Sequence, residues 1–155
     1  MLEFILFLKK IDKEILDLVH NANFSVQENA NICKYGNKFF GFLDKKNKRV
    51  VICTHNAKIM GGYYMPNNNP RDTYTHTHMH IRRALRHEAT HVAQMCNGGE
   101  VLNMIERSKM RLHPVKQEAL TGSTKVSGNK DKEFEAYWME DRPKKVRDAL
   151  RKYCL

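Results

Sequence analysis

Ile11, Ile15, Leu16, Leu18 and Val19 fall at helical spacing behind a mostly apolar start, Met1 to Leu8, and predict an amphipathic helix docked on a core. Two β-prone runs follow, Lys38 to Asp44 and Arg49 to Thr54, and the polar Lys45-Lys46-Asn47-Lys48 between them reads as the turn of a hairpin. Gly61 to Asp72 carries Gly61-Gly62, Pro66, three asparagines and Pro70, so it reads as a loop. Helical spacing resumes from about Met79 to Cys96 and stops at Asn97-Gly98-Gly99. A short helix is expected from Glu100 to Leu112, a flexible polar connection over 121–130, a helix from Asp131 to about Asp141, and a last one opened by Pro143. The expected fold is α+β, with a small antiparallel sheet over 39–54 packed on the helix ending at Cys96 and further C-terminal helices.

Composition narrows this to one packed domain over 1–155. No stretch is rich enough in Gly, Ser or Pro to be a long linker, and 41% hydrophobic against 28% charged residues supports a core rather than disorder. Met1 to Leu8 is interrupted by Glu3 and has no basic leader, so it is too short for a membrane span and a poor secretion signal. A cytoplasmic protein without membrane association is expected. Cys33, Cys53, Cys96 and Cys154 stand far apart with no Cys-x-x-Cys pair, which fits neither a zinc knuckle nor a redox motif. Free, buried thiols are the expectation, with two disulfides as the alternative for a secreted protein. The net charge of +10, from 27 Lys and Arg against 17 Asp and Glu, leaves nucleic acid open as a partner beside an ordinary solvated basic surface.

The chemistry sits in His87-Glu88-Ala89-Thr90-His91. Four residues make slightly more than one helical turn, so both imidazoles leave the same face and can share one ion. At about 100° per residue, Ile81, Leu85, Val92 and Met95 form one apolar stripe with Glu88 in its middle, while Arg82, Arg83, Arg86 and Thr90 fall opposite. A carboxylate facing a core is expensive unless it has a partner or a task. A surface helix with two incidental histidines would put Glu88 on the solvent side.

A catalytic zinc site needs a third protein ligand. Gln94 and Asn97 occupy the positions where a metzincin has its glycine and third histidine, which leaves a downstream carboxylate from another helix. On a helical wheel Glu135 lies on the side defined by Phe134, Trp138 and Met139, whereas Glu133 and Glu140 point about the opposite way. Glu135 is therefore the expected ligand, with Glu118 as its rival.

His87-Glu88-Ala89-Thr90-His91 together with Glu135-Ala136 resembles the gluzincin metallopeptidases, in particular the compact minigluzincins. The resemblance covers about half the chain and implies peptide-bond hydrolysis at a Zn²⁺ held by His87, His91 and Glu135. It implies that zinc acidifies a water and polarises the scissile carbonyl, that Glu88 is the general base, and that substrate lies beside Arg49 to Thr54. The aspartate that thermolysin-like members carry four residues after the ligand glutamate is Met139 here, which leaves Glu140 and Asp141 as substitutes to support a histidine. Tyr137, His113 and Tyr64 are candidate donors to the oxyanion.

His76-Thr77-His78-Met79-His80 would line one face of a strand and bind a metal, or form a polar loop bordering the cleft. A nucleic-acid-associated protein of the SprT type is the competing reading, resting on Lys45 to Arg49, Arg82 to Arg86, and Arg107, Lys109 and Arg111. A non-catalytic zinc-binding module is the third, opposed by Glu88, since a structural site has no use for a base.

Overall fold

Val50-Val51-Ile52 has no polar face, and in the computed structural model it becomes the buried middle of a three-stranded sheet. The structure describes residues 2–36, 38–64, 70–127 and 129–155, with the side chains of 70–75 and 126–127 outside the description. β2 (Gly41–Asp44) and β3 (Arg49–Ile52) form the expected hairpin, with Gly41 opposite Ile52 and Asp44 opposite Arg49. β1 (Ser25–Glu28) joins the other side of β3 in parallel, Val26 beside Val50, so the sheet is mixed rather than antiparallel, in the order β1-β3-β2. This places β2 at an edge and β3 in the interior.

Six α-helices complete an α+β fold among the described residues: α1 (Lys10–Asn21), α2 (Thr54–Met60), α3 (Pro70–Cys96), α4 (Pro114–Ser127), α5 (Lys130–Met139) and α6 (Pro143–Cys154). α3 is the centre of the molecule, packed by α1, α5, α6, α2 and the sheet. It begins at Pro70, well before Met79, because Pro suits a first helical position and neither Gly nor Pro follows before Cys96. The expected loop therefore shrinks, and its residues 65–69 lie outside the described ones.

Being central, α3 has no solvated back. Ile81, Leu85 and Val92 are buried as the stripe predicts, but so are Ala89, Thr90 and Ala93. The basic residues on the far side are consumed internally. Arg86 holds the fully buried Asp12 through Nε at 2.7 Å, Arg82 donates to the Phe7 carbonyl, and Arg83 pairs with Asp141. Arg82 and Arg86 are thus internal ties, while Arg83 pairs with Asp141 at the surface.

Two further expectations are corrected. Residues 100–112 hold only a 3₁₀ turn, Arg107–Lys109, because the Leu102 and Asn103 amides donate to the Glu135 carboxylate and Asn103 takes a φ of 54°. The expected connection over 121–130 is largely helix, α4, which buries Leu120.

The cysteines are not free. Cys33 is bonded to Cys53 and Cys96 to Cys154, the second tying the end of α3 to the end of α6 across 58 residues of chain. A cross-link of that span restricts the unfolded chain and commonly stabilises by about 2–5 kcal/mol. Alkylation of the unfolded, unreduced protein should label no cysteine, and reduction should lower the denaturation midpoint accordingly. Four alkylated thiols would restore the free-thiol reading. Among the described residues no helix is long and apolar enough to cross a membrane.

Candidate metal centre

α3 presents His87 and His91 one turn apart, and α5 crosses over them with Glu133. Their ligating atoms all lie within 4.8 Å of one another, and the three side chains are buried or nearly so. Glu133 Oε1 stands 3.0 Å from His91 Nε2 and Oε2 stands 3.1 Å from His87 Nε2. Donors about 2.0–2.1 Å from a tetrahedral ion are about 3.3 Å apart, so an opening of a few tenths of an ångström admits one. This group can hold a metal.

The far nitrogens fix both rings. His87 Nδ1 meets Glu140 Oε2 at 3.1 Å, and His91 Nδ1 meets Gln94 Oε1 at 2.7 Å. The two ends of an amide look alike, but here chemistry distinguishes them: Gln94 Nε2 donates to Glu135 Oε1 at 2.9 Å and to the Lys132 carbonyl, neither of which can donate back. The amide oxygen must therefore face His91, whose Nδ1 carries a proton and whose Nε2 points at Glu133. Glu140 in turn is held by Lys116 Nζ at 2.8 Å.

Glu88 lies beside this group, 6% exposed, and among the described residues no hydrogen-bonding side chain or amide meets its carboxylate. Its stem packs on β2, where a Cβ at Gly41 would come within 3.0 Å of Glu88 Cγ. A side chain there would push Glu88 back by a few tenths of an ångström. Burial raises the Glu88 pKa, and the His87 and His91 charges pull it back only in part. The Tyr137 ring packs edge-on against His87 at 4.4 Å, and burial pushes its phenol upward, so its proton stays on at neutral pH.

Residues 4–155 match the model of a family described as a domain of unknown function (DUF8637). The chain belongs to the DUF8637 family. No curated protein and no solved structure matches it.

In this DUF8637 chain the expected trio of His87, His91 and Glu135 is not what comes together. Glu135 faces away from the imidazoles, its two oxygens taken by the Leu102 and Asn103 amides and by Gln94. Glu133 occupies the third position, and Glu118 lies exposed on α4, outside the group. The error has a definite cause. The wheel treated the Phe134 side of α5 as the only inner side, but Glu133 and Glu135 are both buried, because α5 is covered on both faces. One signal was available: Glu133, Tyr137 and Glu140 recur at i, i+4 and i+7 and share a face. Glu140 supports a histidine, while Asp141 pairs with Arg83 and Lys116.

Of the candidate oxyanion donors in the DUF8637 chain, Tyr137 touches His87, its hydroxyl bonded to Ser123. His113 accepts from the Val115 amide, and Tyr64 is 55% exposed beside His55, away from the imidazole pair. His76, His78 and His80 lie on α3, not on a strand, so successive members turn to different faces and none belongs to the metal-capable group found among the described residues. His80 stacks on Phe40 at 4.6 Å, next to Gly41, and His78 meets Arg82.

In the metal-free protein the group is held by a proton. Burial works against a charged His87, but its hydrogen bonds to Glu133 and Glu140 prevail and raise its pKa to about 10, while the two histidines hold the Glu133 carboxyl well below the usual range. A raised histidine pKa contributes stability that is complete below its unfolded value near 6.5 and is lost as pH rises through about 10. Thermal melts of chelator-treated protein should fall across that interval. A flat profile would take the proton off His87.

Proposed function

We propose that the protein is a zinc-dependent peptidase in which His87, His91 and Glu133 hold the metal and Glu88 is the general base. The observation that carries this reading is the buried Glu88, whose carboxylate has no hydrogen-bond partner among the described residues, beside a histidine pair whose Nε2 atoms are aimed at a third ligand. Two imidazoles and one carboxylate, with both Nδ1 atoms anchored by oxygen acceptors, are a donor set suited to zinc. Zinc bound there supplies Lewis acidity toward a water and the scissile carbonyl. Glu88, its pKa raised by burial, accepts the proton of the attacking water and returns it to the leaving amine.

The edge strand β2, not β3, is the backbone available to align an extended peptide, since β3 is paired on both sides and Gly41 brings β2 onto Glu88. Disulfides such as Cys33–Cys53 and Cys96–Cys154 persist in oxidising surroundings, so we favour an oxidising compartment over the cytoplasm expected from the N-terminal pattern. The test is a peptide-library digest before and after chelation. Cleavage should vanish with the metal and return with one zinc per chain. Zinc uptake by the group without cleavage of any library member would favour a non-catalytic metal protein.

A further inference from the structure

We propose that the cavity lined by Tyr137, Trp138, Arg111 and Arg142 is a carboxylate-binding subsite, taking an acidic side chain or a free C-terminus of the peptide. In naming a peptide as ligand this rests on the peptidase reading; the binding of a carboxylate there does not. The cavity encloses about 330 Å³ and has Trp138 and Leu112 in its walls. Tyr137 is shared: it lines the cavity, and its ring packs on His87.

The polar groups around it are unbalanced. Lys116 is saturated, its three protons directed to Glu140 at 2.8 Å, Asp141 at 2.7 Å and the Tyr137 carbonyl at 3.0 Å. Asp141, the one acid in the lining, is also held by Arg83. Among the described residues two guanidiniums, the exposed Arg111 and the half-buried Arg142, remain without a counter-charge. Arg111 uses Nη1 on the Ser108 and Met110 carbonyls, and Arg142 uses Nη1 on the Trp138 carbonyl while lying 3.8 Å over the Trp138 ring. Among the described residues the Nε and Nη2 groups of both have no acceptor. His113 Nδ1 accepts the Val115 amide proton, so its own proton is on Nε2, a further free donor. Acceptors are what the site lacks, and a carboxylate offers two oxygens to planar guanidinium donors, with its carbon stem against Trp138 and Leu112.

Trp138 is the only tryptophan of the chain, and Arg142 covers it, so emission reports occupancy without any turnover. The full-length protein is titrated with N-acetylglutamate α-amide for the side-chain source, N-acetylalanine for the C-terminal source, and N-acetylalaninamide and inorganic phosphate as controls. One or both carboxylates should change the emission saturably and the neutral amide should not. R111Q and R142Q, each checked for native circular dichroism, should weaken that binding about tenfold. No saturable response to either carboxylate, equal binding by both variants, or tighter binding of phosphate than of carboxylate would overturn the assignment. Failure of zinc-dependent cleavage with the carboxylate response intact would remove the peptidase reading and leave the subsite. Cleavage intact, with R111Q and R142Q showing unchanged KM for acid-bearing peptides and no emission response in the parent, would remove the subsite alone.

Discussion

Glu88→Gln should yield a folded protein that binds zinc as the parent does and cleaves peptides about 10²- to 10⁴-fold more slowly. The reason is the isolation of the carboxylate. Glu88 is not among the three atoms that converge for a metal, and it supports no amide or side chain among the described residues, so glutamine of the same shape breaks no hydrogen bond. Burial already raises its pKa, which places the group where it can take and return a proton, and a neutral amide removes that capacity while relieving the cost of a buried charge. The comparison is a digest with parent and variant at equal measured zinc content. Equal rates would exclude Glu88 as the base.

Glu133→Gln and Glu135→Gln should separate cleanly, although the residues are two apart on one helix. An amide in place of Glu133 removes the anionic oxygens that face both imidazoles, and zinc affinity should fall by more than the 10- to 100-fold typical of losing an outer-shell partner. Glu135→Gln acts on the fold instead. The carboxylate accepts from Leu102, Asn103 and Gln94, and an amide NH₂ turned toward any of them sets donor against donor in a buried site, at a cost of about 1–3 kcal/mol. Its effect on zinc should be secondary, passing through the freed Gln94 amide to His91. Chelator competition and denaturant midpoints on both variants check the pair. If Glu135→Gln lost zinc while Glu133→Gln kept it, the third ligand would revert to Glu135.

Much of the local structure was legible because it depends on neighbours in sequence. The helix through His87 and His91, the inward Glu88, the hairpin around Lys45-Lys46-Asn47-Lys48 and the last helix after Pro143 all follow from spacing and turn chemistry. α4 was hidden by its polar composition, since few of its residues are buried and its support comes from packing on α5.

What tertiary structure decided was every feature that depends on an element being covered on two sides. In the hairpin alone β3 has a free side, and it becomes the centre because β1, whose Ser25 pairs with Arg49, joins it in parallel. α5 looked one-sided and is covered on both faces, so its apolar side identified a carboxylate at Glu135 that serves the backbone at Leu102, and left the metal-facing one, Glu133, on the side a wheel assigns to solvent. The same holds for Arg86 over Asp12 and for the cysteines, whose pairing depends on where α6 returns along α3. The sequence by itself determined which residues share a face of a helix. It could not determine how many faces of that helix are buried, because burial is set by partners distant in the chain, and a polar side chain goes wherever such a partner satisfies it.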